Sequence, residues 1–238
     1  SMALPKLNTP KYKMKLPSDG RTVNFRPFLV KEEKLLLVAT ETGGQSGLFD
    51  AIKTIIQDCT DIANVEDLAT FDIEYVFLQI RTKSVGETVN VQVTCPDDNE
   101  TTVEAEIPLD DIKVKKTRGH KSEIKLDDNI IVTMKYPNLD TFVEMNIGDA
   151  EDQGVEQIFK MAASCIKTIA DTEQVYDCAD SSDAEISEFF ESLTSSQFQE
   201  IQKFFETMPK LAYTLKVTNP NTEVESEVEL EGLASFFA

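Results

Sequence analysis

Val93-Thr94-Cys95-Pro96 recurs farther along the chain as Val217-Thr218-Asn219-Pro220. Each copy ends a run of alternating apolar and polar residues, and a second such run follows it, at about 101–107 and 224–230. Alternating runs separated by Pro, Asp and Asn residues predict β-hairpins. The same hairpin is therefore expected twice, once near the middle of the chain and once near its end.

Two further matches keep the same order. Ile52–Ile55 and Ile166–Ile169 both read Ile-Lys-Thr-Ile, and Arg26-Pro27 has a counterpart in Tyr136-Pro137. Short matches also arise by chance, but a repeat of roughly 110 residues has the size of a domain. We predict an α+β fold of two tandem similar modules, each with antiparallel β-hairpins flanking a helical layer. The predicted ranges are 1–115 for the N-terminal module, 116–121 for a basic connector and 122–238 for the C-terminal module.

The first module is predicted to open with a hairpin around Pro17–Gly20. Helix formers then run from Lys31 until Gly43-Gly44. Apolar residues at helical spacing predict a second helix, from an N-cap at Ser46 to about Cys59, and a third at about 70–86. These helices are expected to form one layer between the two hairpins.

The second module follows Lys113–Lys121, which is the densest basic stretch of the chain. Its opening hairpin is predicted over 123–136, and helical spacing of apolar residues from Val155 to Ile169 predicts a helix there. Two capping boxes predict two further helix starts. They are formed by Ser182 with Glu185 and by Thr194 with Gln197.

Composition limits the classes of partner. The formal net charge is −20, which disfavours nucleic acid and anionic lipid over most of the surface and favours basic or mixed protein surfaces. There is no run of 18 or more apolar residues and no apolar secretory core, so we expect no membrane span and no export. The cysteines lack CxxC pairing, which favours reduced thiols and a cytosolic location; they are Cys59, Cys95, Cys165 and Cys178.

No recognisable catalytic set is present in the sequence. His120 is the single histidine, so any Ser/His/Asp or Cys/His scheme must use it, and its basic surroundings favour an exposed connector residue. Cys95-Pro96 resembles one arm of a zinc knuckle, but Asp97 and Asp98 stand where the second thiolate is required. Asp149–Asp152 lacks the ligand pattern of a calcium loop. We expect no enzymatic activity, no cofactor and no metal.

Three aromatic pairs each place one ring on a helical stripe and the next ring about 100° around it. Phe189-Phe190 and Phe204-Phe205 are predicted to lie in the core. Phe236-Phe237, near the end of the sequence, fits equally an anchor for its own domain or for a neighbouring protein.

Four segments, Leu4–Asn8, Arg26–Lys34, Arg81–Glu87 and Leu230–Phe237, resemble the T4-like bacteriophage base-plate protein family, and they span nearly the whole chain. The resemblance implies a factor of the tail base-plate hub, either a hub subunit or an assembly chaperone absent from the finished particle, and no enzymatic activity is implied by it. It carries over only candidate protein-binding positions within these segments. They are Phe28, Lys31, Glu32, Glu33, Lys83, Glu87, Leu233, Phe236 and Phe237.

The sequence is interpreted as an assembly chaperone that binds base-plate hub proteins in the host cytoplasm during phage assembly. Acidic helices would face basic partner patches, and apolar anchors would enter a pocket. The alternative is a permanent structural subunit of the hub, located in the virion tail. A degenerate or metal-dependent enzyme and an acidic DNA mimic are weaker alternatives, and a homo-oligomer is left open.

Overall fold

The computed structural model describes residues 3–42, 44–139, 141 and 155–236. It contains helices and antiparallel sheets, which confirms the predicted α+β class. Contacts divide the chain into two compact units. Unit 1 comprises residues 1–65, 71–115 and 210–238, and unit 2 comprises residues 66–70 and 116–209.

Unit 1 begins with the hairpin β1 (Tyr12–Lys15) and β2 (Thr22–Phe25), in which Met14 and Val23 pair and point inward. Alternation of buried and exposed residues along both strands gives the hairpin one core face. Three helices follow, of which the third lacks only its first residue in this unit. They are α1 (Val30–Thr42), α2 (Gly44–Cys59) and α3 (Thr70–Val85).

The helix bounds agree closely with the pattern of the sequence. α3 starts at Thr70 and ends before Gly86, whose φ of 133° lies in a region that side chains rarely adopt. α2 starts at Gly44, so Ser46 lies inside the helix rather than at its predicted N-cap. Gly43 lies outside the described residues.

Two closing hairpins complete unit 1. β3 (Thr88–Thr94) pairs with β4 (Thr102–Pro108), and β10 (Lys210–Thr218) pairs with β11 (Glu225–Glu231). A 3-10 turn follows each hairpin, at Leu109–Asp111 and at Leu233–Phe236. After the first of these turns comes β5 (Lys113–Lys115), which pairs with β10 to make the sheet order β11-β10-β5.

One apolar cluster joins the two closing hairpins. It contains Val91 and Val93 from β3, Leu211 and Val217 from β10, and Leu78 from α3. Inward residues alternate with exposed polar residues along all four strands, as expected for sheets with one solvated face. Both hairpins therefore belong to one core.

This core corrects the predicted module ranges. The range 122–238 assigned the last hairpin to a second module, but β10 pairs with β5 and Lys210–Ala238 belongs to unit 1. Local alternation shows that residues form a strand and does not show which partner the strand will take. The predicted duplication of the whole module stays a prediction.

Unit 2 contains the strands β6 (Glu123–Lys125), β7 (Ile131–Met134), β8 (Ile166–Ala170) and β9 (Val175–Asp177). They form one sheet in the order β6-β7-β8-β9. Its helices are α4 (Val155–Ser164), α5 (Asp183–Glu191) and α6 (Ser195–Thr207). The last two begin at the predicted capping boxes of Ser182 and Thr194.

The predicted helix from Val155 to Ile169 is wrong in its second half. α4 ends at Ser164, and Ile166–Ala170 forms β8, which pairs with β7. Isoleucine and threonine are β-branched and favour a strand where a partner strand is available. The identical tetrapeptide at Ile52–Ile55 lies in the helix α2, so that match between the two halves joins unlike structures.

Buried aromatic side chains form much of the core of unit 2. Phe190 and Phe204 are buried, whereas Phe189 and Phe205 are half-buried against the same cluster. The predicted core role of both pairs is therefore confirmed. Within the described ranges, no helix is both long enough and apolar enough to span a bilayer.

Candidate protein-binding surface

Two of the segments that carry the family resemblance meet in unit 1. The Phe28 N–H donates to the Ser84 hydroxyl (2.7 Å), and the Phe28 ring lies 5.5 Å from the Phe77 ring at 52°. Arg26–Lys34 contains the start of α1, and Arg81–Glu87 contains the end of α3. The start of α1 is therefore fixed against the last turns of α3.

A buried carboxylate fixes the same corner from inside. Glu32 is 1% exposed and forms an ion pair with Arg26, while the Cys59 thiol and the Leu29 N–H donate to its Oε1 (both 3.4 Å). Burial raises the pKa of Glu32, but the hydrogen bonds from Arg26 and Cys59 and the charge of Arg26 outweigh it, so the pKa lies below its ordinary value. Glu32 is therefore a structural anion of the corner.

This geometry corrects three predicted binding positions. Glu32 and Phe28 are buried, so neither meets a partner on the surface. Phe236 is 0% exposed within the cluster that joins the closing hairpins. A ring so enclosed stabilises its own core and cannot serve as an external anchor in this conformation. Leu233 is half-buried and its N–H donates to Glu74. Phe237 lies outside the described residues.

The charged positions of the predicted set are exposed. Lys31, Glu33, Lys83 and Glu87 all lie on the surface of unit 1. The Lys83 ammonium lies 5.0 Å from the centroid of the Tyr12 ring, a cation–π contact. Because these residues lie at the start of α1 and the end of α3, the structure places them around the corner described above.

The outer face of α1 carries apolar residues that sequence reasoning missed. Val30 is 75% exposed, Leu37 is 61% exposed and Val38 is 56% exposed. At 100° per residue, Val30 and Leu37 lie about 20° apart, on the side opposite Glu32 and Ala39, which are buried. Helical projection from Glu32 would have revealed this face, but Glu32 itself was taken for a surface residue. Grouped exposed apolar side chains mark protein-interaction sites.

His120 is held in a structural network in unit 2. The Thr207 hydroxyl donates to the Lys203 carbonyl (2.5 Å), so it accepts from His120 Nδ1 (2.7 Å), and His120 Nε2 accepts from the Tyr136 hydroxyl (2.9 Å). Burial lowers the pKa of His120, which favours this neutral form. The prediction of an exposed connector histidine is wrong, because the ring also stacks on Tyr136 and Phe204.

The surroundings of Cys95 disfavour the thiolate form that a metal ligand requires. Burial raises the pKa of its thiol, and the carboxylates of Asp97 and Asp98 raise it further. The four cysteines are free and buried. Among the described side chains, no group of three or more His, Cys, Asp and Glu residues is placed to hold a metal ion.

An open groove of about 580 Å³ lies in unit 2 beside α4, α5 and α6. Phe159, Phe190 and Phe198 line it, and their ring centroids lie 4.9–5.6 Å apart. Rings at such distances make a rigid apolar floor. The groove therefore offers apolar contacts on its floor, and Lys160 and Glu191 also belong to its lining.

Residues 9–238 match the protein family described as "T4 bacteriophage base plate protein". No match is found among curated proteins or among solved structures. The matched range includes all of unit 2, unit 1 from residue 9 onward and every described residue of the α1 face.

Proposed function

The chain belongs to the T4 bacteriophage base plate protein family, and from this membership we propose that it is a non-enzymatic assembly chaperone for the tail base-plate hub. The family itself implies a role in the phage base plate and interaction with other base-plate proteins. The finer proposal is that the protein covers apolar surface of hub proteins in the host cytoplasm and then leaves the finished tail.

The exposed face of α1 supports this proposal best. Val30, Leu37 and Val38 present apolar surface, with the charged residues Lys31 and Lys34 beside them. Apolar contacts supply affinity when a partner covers them, and a charged rim fixes orientation. The Glu32–Arg26 pair and the Phe28–Ser84 hydrogen bond hold the helix in place, which lowers the entropy cost of binding.

The overall charge supports a basic or mixed partner. With a net charge of −20, the protein would attract such a partner over a distance of about one Debye length, roughly 10 Å at 0.1 M salt. We expect the association rate to fall as salt rises, measured by stopped-flow mixing with isolated base-plate proteins of the same phage. A rate that does not depend on salt would contradict a role for the acidic surface.

The absence of catalysis is part of the proposal. Its support is the occupied state of His120, whose two ring nitrogens are engaged by Thr207 and Tyr136. A general base needs a free nitrogen within reach of the proton that it removes. This network instead links the start of unit 2 to α6.

Replacement of the α1 face tests the binding proposal. Leu37→Asp with Val38→Asp should reduce co-purification with the other base-plate proteins by at least about tenfold, because buried charge disfavours an apolar interface. Val175→Asp is the matched control, since Val175 is 67% exposed and lies in unit 2. Equal loss in both variants, or normal co-purification of the double variant, would contradict the proposal.

The permanent hub subunit is the alternative and has a separate test. Quantitative mass spectrometry of purified tails should show the protein absent if it is a chaperone and present at fixed copy number if it is a subunit. Sedimentation of the isolated protein tests a homo-oligomer in the same preparation. A fixed copy number in tails would replace the chaperone proposal with the structural one.

A further inference from the structure

The outer edge of β3 has hydrogen-bonding groups that point away from β4. At the turn, the Cys95 N–H donates to the Thr101 carbonyl, and at the base of the hairpin the Leu109 N–H donates to the Glu87 carbonyl. Along a strand of an antiparallel pair, every second residue points its backbone N–H and C=O groups at the partner strand. The backbone groups of the odd-numbered residues from 87 to 95 therefore point toward β4. The N–H and C=O groups of Thr88, Asn90, Gln92 and Thr94 therefore face the outer edge.

No described strand pairs with that edge, since β3 and β4 form a sheet of two strands. The 3-10 turn Leu233–Phe236 contacts β3, but Phe236 belongs to the apolar cluster that Val91 and Val93 line, so this contact lies on the core side. An unpaired edge is a template for another strand.

β3 also differs from the other edge strands in composition. Its seven residues, Thr88–Thr94, include no charged side chain and no proline. β4 carries Glu104 and Glu106, β5 carries two lysines and β11 carries four glutamates. β2 is also uncharged, but Phe25 forms a bridge to Thr60. Charged side chains on an edge strand prevent unwanted pairing with other strands. β3 is long, has a free edge among the described strands and lacks such charges.

The other closing hairpin shows what can occupy such an edge. Lys113-Val114-Lys115 forms β5 and adds antiparallel to β10. Val114 packs against the apolar cluster, and the Lys115 ammonium reaches across β10 to Glu229 on β11 (3.0 Å). An extended segment with apolar residues inward and lysines outward is thus complementary to this kind of edge.

We propose that the outer edge of β3, from Thr88 to Thr94, accepts an extended basic–apolar segment of a partner protein as an added β-strand. Inward residues of that segment pack beside Val89 and Val91. Its outward lysines reach across β3 to Glu104 and Glu106, which pair with Gln92 and Asn90, as Lys115 reaches Glu229. This mode gives affinity through main-chain hydrogen bonds and specificity through alternate side chains.

The test uses a synthetic peptide of alternating lysine and valine, with an alternating glutamate and valine peptide as control. The lysine peptide should bind at least about tenfold more tightly in fluorescence anisotropy. On binding, the amides of Asn90, Gln92 and Thr94 should gain protection from hydrogen exchange, whereas the amides of Val91 and Val93 are already protected in the free protein. Peptide binding without this pattern, or equal binding of both peptides, overturns the proposal.

Two kinds of variant sharpen the result. Gln92→Pro removes an N–H that faces the outer edge and leaves the β3–β4 ladder intact, so it should weaken the lysine peptide by about tenfold. Lys216→Pro, at the equivalent position of β10, is the control and should bind as the unaltered protein does. Asn90→Glu should strengthen binding of the lysine peptide, and Asn90→Lys should weaken it. Because these two effects have opposite signs, they do not depend on any loss of stability in the proline variants.

Two outcomes would assign the edge differently. Protection of the Asn90 and Gln92 amides in the free, monomeric protein would show that the edge is already covered. Concentration-dependent self-association that Gln92→Pro abolishes would make a second copy the occupant. Either outcome overturns the proposal of a basic partner segment.

This inference goes beyond the proposed function, because it names a second surface and the chemistry of its occupant. The peptide experiment uses no base-plate protein, and the α1 variants leave β3 unchanged. Failure of peptide binding together with loss of co-purification in the α1 variants would remove the strand proposal and leave the proposed function in place. Binding of the lysine peptide together with normal co-purification of the α1 variants would remove the proposed function and leave the strand proposal in place.

Discussion

The two closing hairpins of unit 1 share a backbone design and differ in their side chains. In each turn, the backbone carbonyl of the residue before a proline accepts a hydrogen bond from the N–H four positions later. The Asn99 N–H donates to the Cys95 carbonyl (2.9 Å), and the Glu223 N–H donates to the Asn219 carbonyl (2.8 Å). Asn99 and Glu223 both have positive φ, at 56° and 64°. The same turn is thus built twice from different residues.

The difference lies in what the first residue of the turn does. Cys95 is buried with the apolar cluster. Asn219 is equally buried, but its amide nitrogen donates to Asp98 (2.8 Å) and Asp97 (3.2 Å), and its oxygen accepts from the Asn221 N–H (2.8 Å). Because the backbone fixes the turn, the side chain was free to become either a core residue or the hydrogen-bonded link between the two tips.

The strongest test of the comparison concerns Phe236, which ends one of the 3-10 turns that follow the hairpins, and Ile112, which directly follows the other. Phe236→Ala should lower the free energy of unfolding by about 3–5 kcal/mol, and Ile112→Ala by about 2–5 kcal/mol, since each leaves a cavity in one core. Both side chains are almost fully buried in that cluster. Leu37→Ala, on the exposed face of α1, should change it by less than about 0.5 kcal/mol.

Urea denaturation of the three variants measures these effects. An external anchor would give a different pattern, in which Phe236→Ala leaves stability unchanged and removes partner binding. That pattern would restore the role first predicted for Phe236 from the sequence.

An exchange of the first turn residues tests the link between the tips. Asn219→Cys removes the amide that joins the carboxylates of Asp97 and Asp98, and should lower the free energy of unfolding by about 2 kcal/mol. The reciprocal Cys95→Asn buries an amide in an apolar site, at a cost of about 1–3 kcal/mol. Equal tolerance of both exchanges in urea denaturation would show that the two sites are equivalent and that the link contributes nothing.

The sequence predicted local structure well where one feature sufficed. Both capping boxes start helices at the expected residues, since the signal is a local pair of hydrogen bonds. The hairpin match at Val93 and Val217 also holds, because alternation and a Pro-containing turn define a hairpin without reference to the rest of the chain.

Long-range pairing explains what the sequence did not predict. Ile166–Ala170 becomes a strand because β7 is available to pair with it, and the last hairpin joins unit 1 because β5 pairs with β10. Burial is equally non-local. Glu32 is charged and would be placed outside, but Arg26 supplies a counter-charge and Arg26 and Cys59 hydrogen-bond to its Oε1, while its Oε2 is buried without a hydrogen-bond partner among the described residues.

A smaller effect, which depends on pH, should appear at the first tip. Hydrogen bonds from the Thr101 hydroxyl, from the N–H groups of Glu100 and Thr101 and from Asn219 hold the pKa of Asp98 well below its usual range. A depressed folded-state pKa contributes stability above the unfolded value of about 3.9, and this contribution is lost as the pH falls from there toward the folded value.

Asp98→Asn should therefore flatten the loss of stability on the acid side of about pH 4, as measured by urea midpoints across pH. Asp110→Asn serves as the control, because Asp110 is exposed. An unchanged acid slope in Asp98→Asn would show that the tip does not hold a carboxylate more firmly than the unfolded chain does.

The smallest effect distinguishes the outer faces of the two hairpins. Lys115 and Glu229 form an exposed ion pair across β10, whereas the outer positions of β3 are uncharged. Lys115→Ala should lower the free energy of unfolding by less than about 1 kcal/mol, and the loss should shrink in high salt, because exposed pairs are screened. Gln92→Ala should show no such dependence on salt. Denaturation at low and high salt compares the two variants. A loss in Lys115→Ala that persists in high salt would mean that the lysine stem stabilises β5 by packing, and that charge alone does not explain how a segment holds to this kind of edge.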